Sequence, residues 1–247
     1  MACKAVSLTA SGGQITLTVE SGSLSQNPAT ARLTSPDLAV RALEGSVLLD
    51  GPLNAIGALL GGARDRFVVD AGGDLLLSGP ISADIVDLRL AGELAQDQGA
   101  RLTAGTLRLN VIGGAAFLDD PLNRMSVLEA ASVGGALNIT TQGDLLIPGA
   151  VTAQSLALSA TGAITQASGS SIGVGRLSVT ALGGDALLDQ PGNSFGTLGG
   201  SGAMRDLQLA STGPLGVLGA LDAGRDLSLR AGAIAIAAPV RAGRRLS

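Results

Sequence analysis

Apolar residues recur two positions apart along the chain, as Leu88/Leu90, Leu107/Leu109, Leu137/Ile139, Leu156/Leu158, Leu177/Val179, Leu207/Leu209 and Leu227/Leu229. Strict alternation over a few residues is the signature of a β-strand: successive side chains face opposite sides, and the apolar ones line a core. The runs are bounded by Gly, Asn, Asp or Pro, which favour turns. A helix would need apolar positions three and four apart over ten or more residues, and each glycine inside it would cost about 1 kcal/mol. The pattern predicts an all-β chain of short strands.

The steps between successive pairs are 19, 30, 19, 21, 30 and 20 residues. About twenty residues suffice for three short strands and three turns, so one superhelical coil per pair stacks each pair on the next, about 4.8 Å along an axis. The 30-residue steps fit either a coil with a protruding loop or an irregular coil and a half. A longer repeat overlies this one. The phrase Val47-Leu48-Leu49-Asp50-Gly51-Pro52-Leu53-Asn54 returns as Ala116-Phe117-Leu118-Asp119-Asp120-Pro121-Leu122-Asn123 and as Ala186-Leu187-Leu188-Asp189-Gln190-Pro191-Gly192-Asn193. Its asparagines are 69 and then 70 residues apart, and each is followed at fixed offsets by an apolar pair: Ile56 and Leu59, Met125 and Leu128, Phe195 and Leu198. Asp74-Leu75-Leu76-Leu77 returns 70 residues later as Asp144-Leu145-Leu146-Ile147, and in degraded form as Pro214-Leu215-Gly216-Val217. Leu24-Ser25-Gln26, Leu94-Ala95-Gln96 and Ile164-Thr165-Gln166 keep the same interval. Landmarks that hold one register over the chain predict a single array over residues 1–247, with units at approximately 1–46, 47–115, 116–185 and 186–247. The expected fold is a parallel β-helix (β-solenoid) of about eleven coils and roughly 50 Å in length. The general rule for parallel crossovers makes it right-handed.

Composition narrows the chemistry. With 46% hydrophobic and 15% charged residues the chain has material for a core and too little charge for a disordered tail. It has no His, Trp or Tyr, and Lys4 is the sole lysine among 16 basic residues. That removes most side chains used for acid–base, metal and stacking chemistry near neutral pH, so a non-enzyme is expected. A net charge of -4, scattered arginines and no aromatic platform argue against nucleic acid. The single cysteine, Cys3, cannot form an internal disulfide, which suits a reducing compartment or a surface protein held by its repeat. The opening Met1-Ala2-Cys3-Lys4-Ala5-Val6-Ser7 carries no apolar run of signal-peptide length. The most apolar stretch, Ala231 to Val240, is about ten residues long and broken by Gly232 and Pro239, short of the roughly twenty that cross a bilayer as a helix. No membrane insertion is expected.

Candidate sites reduce to turns. A 70-residue step taken as about three coils places Asp50, Asp119 and Asp189 roughly 14 Å apart. Paired glycosidase carboxylates need roughly 5 to 9.5 Å, and a shared metal needs direct contact. The three aspartates are therefore expected to cap turns. The Gly72-Gly73-Asp74 and Gly183-Gly184-Asp185 turns lack the full calcium-binding nonapeptide consensus and are read as structural. No phosphate-binding loop or dinucleotide fingerprint is present. Asn138-Ile139-Thr140 matches a glycosylation acceptor, but its position between Leu137 and Ile139 makes Asn138 a solvent-facing strand residue. Phe67, Phe117 and Phe195 are expected to pack in the core or under loops. There is no Arg-Gly-Asp triplet, and Gly224-Arg225-Asp226 is not its equivalent. No catalytic, cofactor-binding or metal-binding residue is assigned.

The Gly-Gly-Asp-x-Leu phrases, with Gly162-Ala163-Ile164-Thr165-Gln166, Gly175-Arg176-Leu177-Ser178-Val179 and Asn193-Ser194-Phe195-Gly196-Thr197-Leu198, resemble the filamentous-haemagglutinin-like exoproteins of Gram-negative bacteria, adhesins of two-partner secretion systems. The resemblance covers nearly the whole chain. It implies a right-handed parallel β-helix, export through an outer-membrane barrel partner, a secreted or cell-surface location, and a role in attachment or in carrying a distal effector. Two features depart from it. The family's secretion domain carries an Asn-Pro-Asn type motif, whereas this chain has Asn27-Pro28-Ala29 in repeat context and no recognisable secretion domain. Arg245-Leu246-Ser247 matches Arg176-Leu177-Ser178 of the preceding repeat, so the chain is expected to stop inside a coil, as a fragment of a longer protein would. The expected function is a non-catalytic structural and adhesive shaft. The alternatives are a polysaccharide-active β-helix enzyme, which here lacks the aromatic and lysine side chains that grip sugars, and a stalk for a toxin or effector.

Overall fold

Each apolar alternation becomes a strand whose inward side chains rest on those of the coils before and after it. The computed structural model describes residues 7–247, so Cys3 and Lys4 lie outside it. Over these residues the chain is an all-β parallel β-solenoid of about 11 turns with no helix. Its 27 strands join one continuous sheet, and every pairing is parallel. One file of paired residues runs Leu75, Leu94, Ala116, Leu137, Leu156, Leu177, Leu198, Val217, Ile236, with 19 to 22 residues between neighbours. That spacing is one coil.

The alternating pairs do not all stack on one another. Leu156 lies on Leu177 in this file, but Leu107 belongs to a second file, Val47, Phe67, Val86, Leu107, Leu128, and Leu88 to a third, Val69, Leu88, Leu109. The expectation of one superhelical turn per pair is thereby corrected. From Leu107 the chain makes one coil of 21 residues to Leu128 and nine residues later reaches Leu137, on the next side of the solenoid. The 30-residue step is thus a coil and a half, and no loop protrudes.

The long repeat inherits this half coil. Starting beside Val47, pairing leads through Arg66, Ile85, Thr106, Val127, Leu146 and Thr165 to Leu187 of the third phrase, seven coil-to-coil steps for two repeats. One repeat is therefore about three and a half coils rather than three. The first and third copies of the phrase face one side, and the second, in the Ala116 file, faces away. Asp50 and Asp119 lie on different sides of the solenoid, so they are apart for a stronger reason than axial distance.

Burial follows the files. Leu75, Leu94, Leu137, Leu177 and Leu198 are at most 1% exposed, and Phe67 and Phe195 are equally enclosed. Phe117 takes an outward, half-buried position on its strand. Where the wall bends, side chains must be small: Ala160, Ala181, Ala203, Ala223 and Ala242 succeed one another at one corner. Ile234 and Ile236 occupy inward positions yet are 42% and 60% exposed, since only one of their sides meets another coil. Burial in this architecture comes from the neighbours and not from the coil itself.

Candidate functional site

The most organised polar constellation lies within the coils, and the repeat builds it three times. Asn54, Asn123 and Asn193 are at most 1% exposed, each turned inward after a Pro-containing turn. Each side-chain amide faces the amide of the glutamine one coil earlier. Gln26 Nε2 donates to Asn54 Oδ1 at 2.7 Å, and Asn54 Nδ2 donates back to Gln26 Oε1 at 2.9 Å. Gln96 and Asn123 repeat this reciprocal pair at 2.7 and 2.9 Å, and Gln166 and Asn193 at 2.9 and 2.7 Å. The remaining valences go to the backbone. The asparagine oxygens accept the N–H groups of Leu33, Leu102 and Ile172 at 3.0, 2.7 and 2.9 Å, and their Nδ2 groups donate to the carbonyls of Leu49, Leu118 and Leu188 at 3.2, 3.1 and 3.1 Å. The Gln96 amide also donates to the Ala100 carbonyl. Two landmarks that look independent in the sequence are the halves of one clamp. A buried amide must have partners, and here the partners bolt adjacent coils together.

Hydroxyls and carboxylates extend the pattern. Thr141 Oγ1 accepts the Met125 N–H at 2.8 Å, and Ser211 Oγ accepts the Phe195 N–H at 2.9 Å, both within the core wall and 70 residues apart. Their counterpart in the preceding repeat is Ala71, which has no hydroxyl. At the Pro-containing turns the capping carboxylate is Asp120, whose oxygens accept the N–H groups of Leu122 at 2.8 Å and Gly99 at 2.7 Å. Among the described residues, Asp50, Asp119 and Asp189 make no such bond, which corrects the capping role expected of them. The cap falls one residue later because position 119 points outward and position 120 turns back under the loop. The Gly-Gly-Asp turns are structural: Asp74 accepts the Glu93 N–H at 2.7 Å, and Asp185 accepts the Asp206 N–H at 3.0 Å, each from the following coil. Asn138 is half-buried on the outer side of its strand, as its alternation predicts.

The outer surface carries two ionic ladders. On one side Arg108 grips Glu129 with 2.8 and 2.9 Å contacts, and Arg89 holds Asp87 at 2.8 Å and stands 3.7 Å from Asp70. At another corner Arg225 is bidentate to Asp206, 3.0 Å at each oxygen, and lies 3.5 Å from Asp185, while Arg244 reaches Asp226 at 3.4 Å. Burial is the largest single influence on Asp206 and pushes its pKa up, but the hydrogen bonds from Arg225 and the Asp226 N–H, with the charges of Arg225 and Arg244, outweigh it and hold the carboxyl below its ordinary value. A depressed carboxyl stabilises the fold above the unfolded-state pKa, and that contribution is lost as pH falls through the folded value. Arg225→Met, which keeps the aliphatic stem, is therefore expected to lower stability at neutral pH by an amount that shrinks with added salt and disappears near pH 3. Denaturant titrations across that range test it, and a deficit that ignores pH counts against an ionic origin.

Among the described residues no three His, Cys, Asp or Glu side chains converge as a metal-binding group. The site that does exist was missed by taking the Gln and Asn phrases separately; their fixed separations of 28, 27 and 27 residues were the available signal. Residues 134–199 match a family model described as repeats of unknown function (DUF5649). The matched stretch is about one repeat long and contains the whole Gln166–Asn193 clamp. It lies wholly within the β-solenoid, so this family repeat is here a unit of coil stacking. No curated protein and no solved structure matches the chain.

Proposed function

We propose that the chain is a non-catalytic shaft: a stiff spacer, part of a surface-associated bacterial exoprotein of the filamentous-haemagglutinin-like type, exported through an outer-membrane barrel partner and presenting weak adhesive contacts along its turns. The observation that carries the reading is the recurrent Gln–Asn clamp. Its buried polar groups bond neighbouring coils to each other, and none is left facing a ligand. Stiffness along the axis is the property such an arrangement maximises, because each coil is fixed to the next by backbone ladders and by side chains. The resemblance of the sequence phrases supplies the secretion and adhesion parts of the proposal.

Two measurements test it. Small-angle scattering of the isolated chain is expected to give a rod of about 50 Å, eleven coils at the strand spacing, with β-rich circular dichroism. A globular profile overturns the spacer reading. Incubation with a panel of bacterial and host polysaccharides is expected to leave every glycosidic bond intact, and specific turnover of any of them replaces the shaft by an enzyme.

A further inference from the structure

Asp50 and Asp70 occupy successive coils on the same outer face, immediately after the paired residues Leu49 and Val69. Each has its Oδ1 buried, and among the described residues these two are the buried side-chain oxygens without a hydrogen-bond partner. The charged groups packed nearby leave them short of a cation. Arg89, opposite Asp70 on the next coil, is hydrogen-bonded to Asp87 and reaches Asp70 Oδ1 at 3.7 Å, and Arg108 beyond it is bound to Glu129. On the other side, the preceding coil contributes Leu24 and Ser25 in register with Val47 and Leu48, neither of them charged.

An ionised carboxylate only accepts hydrogen bonds, so two of them cannot satisfy one another; a single proton turns the pair into donor and acceptor. We propose that Asp50 and Asp70 share one proton, held as an O–H donated from one Oδ1 to the other, and that this pair is a pH-sensitive joint between their two coils, tighter in mild acid than at neutral pH. Both orphaned oxygens are satisfied in one step, and one of two like charges is removed from a half-buried place. Burial, opposed by the Arg89 charge and reinforced by those of Asp50 and Asp87, places the Asp70 carboxyl above its ordinary range, in the same direction. The sign follows: a carboxyl raised by folding contributes stability that is fully present below the unfolded-state value and is lost as pH rises through the folded one.

Carbon-detected carboxyl NMR of the full chain reads this directly. The two aspartates are expected to titrate as a coupled pair, in two steps separated by about 1 pH unit or more, the upper above the ordinary aspartate range. In Asp50→Asn the Asn amide can donate to Asp70, so the upper step is expected to vanish and Asp70 to titrate lower, in a single step. Ordinary, independent midpoints for both carboxyls in the unmodified chain overturn the proposal, as does an Asp70 titration unmoved by Asp50→Asn in a folded variant. The titration of the unmodified chain decides the matter if the variant does not fold.

Discussion

Asn123→Ala is expected to unfasten one joint of the solenoid while leaving the other two closed. The substitution strips partners from the Leu102 N–H, the Leu118 carbonyl and the Gln96 side chain at a position 0% exposed to solvent. Each orphaned buried group costs about 1 to 3 kcal/mol, so a total of about 3 to 5 kcal/mol is expected after partial relaxation. The array supplies its own controls, since Leu33 and Ile172 donate to the intact clamps of Asn54 and Asn193. Amide hydrogen exchange is expected to accelerate at Leu102 by several orders of magnitude and to stay slow at Leu33 and Ile172. Gln96→Ala alone should be milder, because Gln96 is only partly buried, and the double variant should lose less than the sum of the singles. Unchanged protection at Leu102 would show that the clamp contributes nothing to coil stacking.

The second large effect is expected at Gly61. Here the ladder between the strands Ala55–Ala63 and Leu75–Leu90 slips register, and Gly61 takes φ +141° with the Val40 carbonyl oxygen where a Cβ would stand. A side chain is penalised twice, by a backbone conformation costing about 1 to 2 kcal/mol and by overpacking against a carbonyl that no rotamer change can move, about 1 to 3 kcal/mol more. Gly61→Ala is expected to destabilise by about 2 to 5 kcal/mol on those terms. Because each coil touches only its neighbours, the damage should stay local. Limited proteolysis is expected to open the segment around residues 32–63 first and to spare the strands Ala150–Ala160 and Ser171–Ala181. Uniform unfolding of the whole chain at one denaturant concentration would instead require cooperativity longer than nearest-neighbour stacking provides.

Local pattern carried much of this. The alternation at Leu137/Ile139 and Leu156/Leu158 identifies strands, and their 19-residue spacing is one real coil. The spacing of Leu88 and Leu107 is also 19, yet those residues occupy different files, because Leu107 pairs with Val86 and Leu88 with Leu109. A spacing between like residues matches a coil only where both lie at the same point of the circuit, and leucine is too common here to mark that point. Gln96 and Asn123 were visible as conserved-looking phrases of the repeat, but nothing local says that one amide faces the other. Asp120, and not its neighbour Asp119, became the cap because the turn's backbone decides which carboxylate is directed at a free N–H.

The sequence by itself determined the strand class, the parallel stack, the coil length and the period of the long repeat, since all follow from side-chain alternation and its recurrence. Tertiary structure decided the phase: that the repeat closes on a half coil, that successive copies face opposite sides, that Gln26, Gln96 and Gln166 are the partners of Asn54, Asn123 and Asn193, and that Asp50 abuts Asp70. Alternation is a property of neighbours along the chain. Contact between coils depends on where the circuit closes, and that is set by the sum of all turn geometries around it.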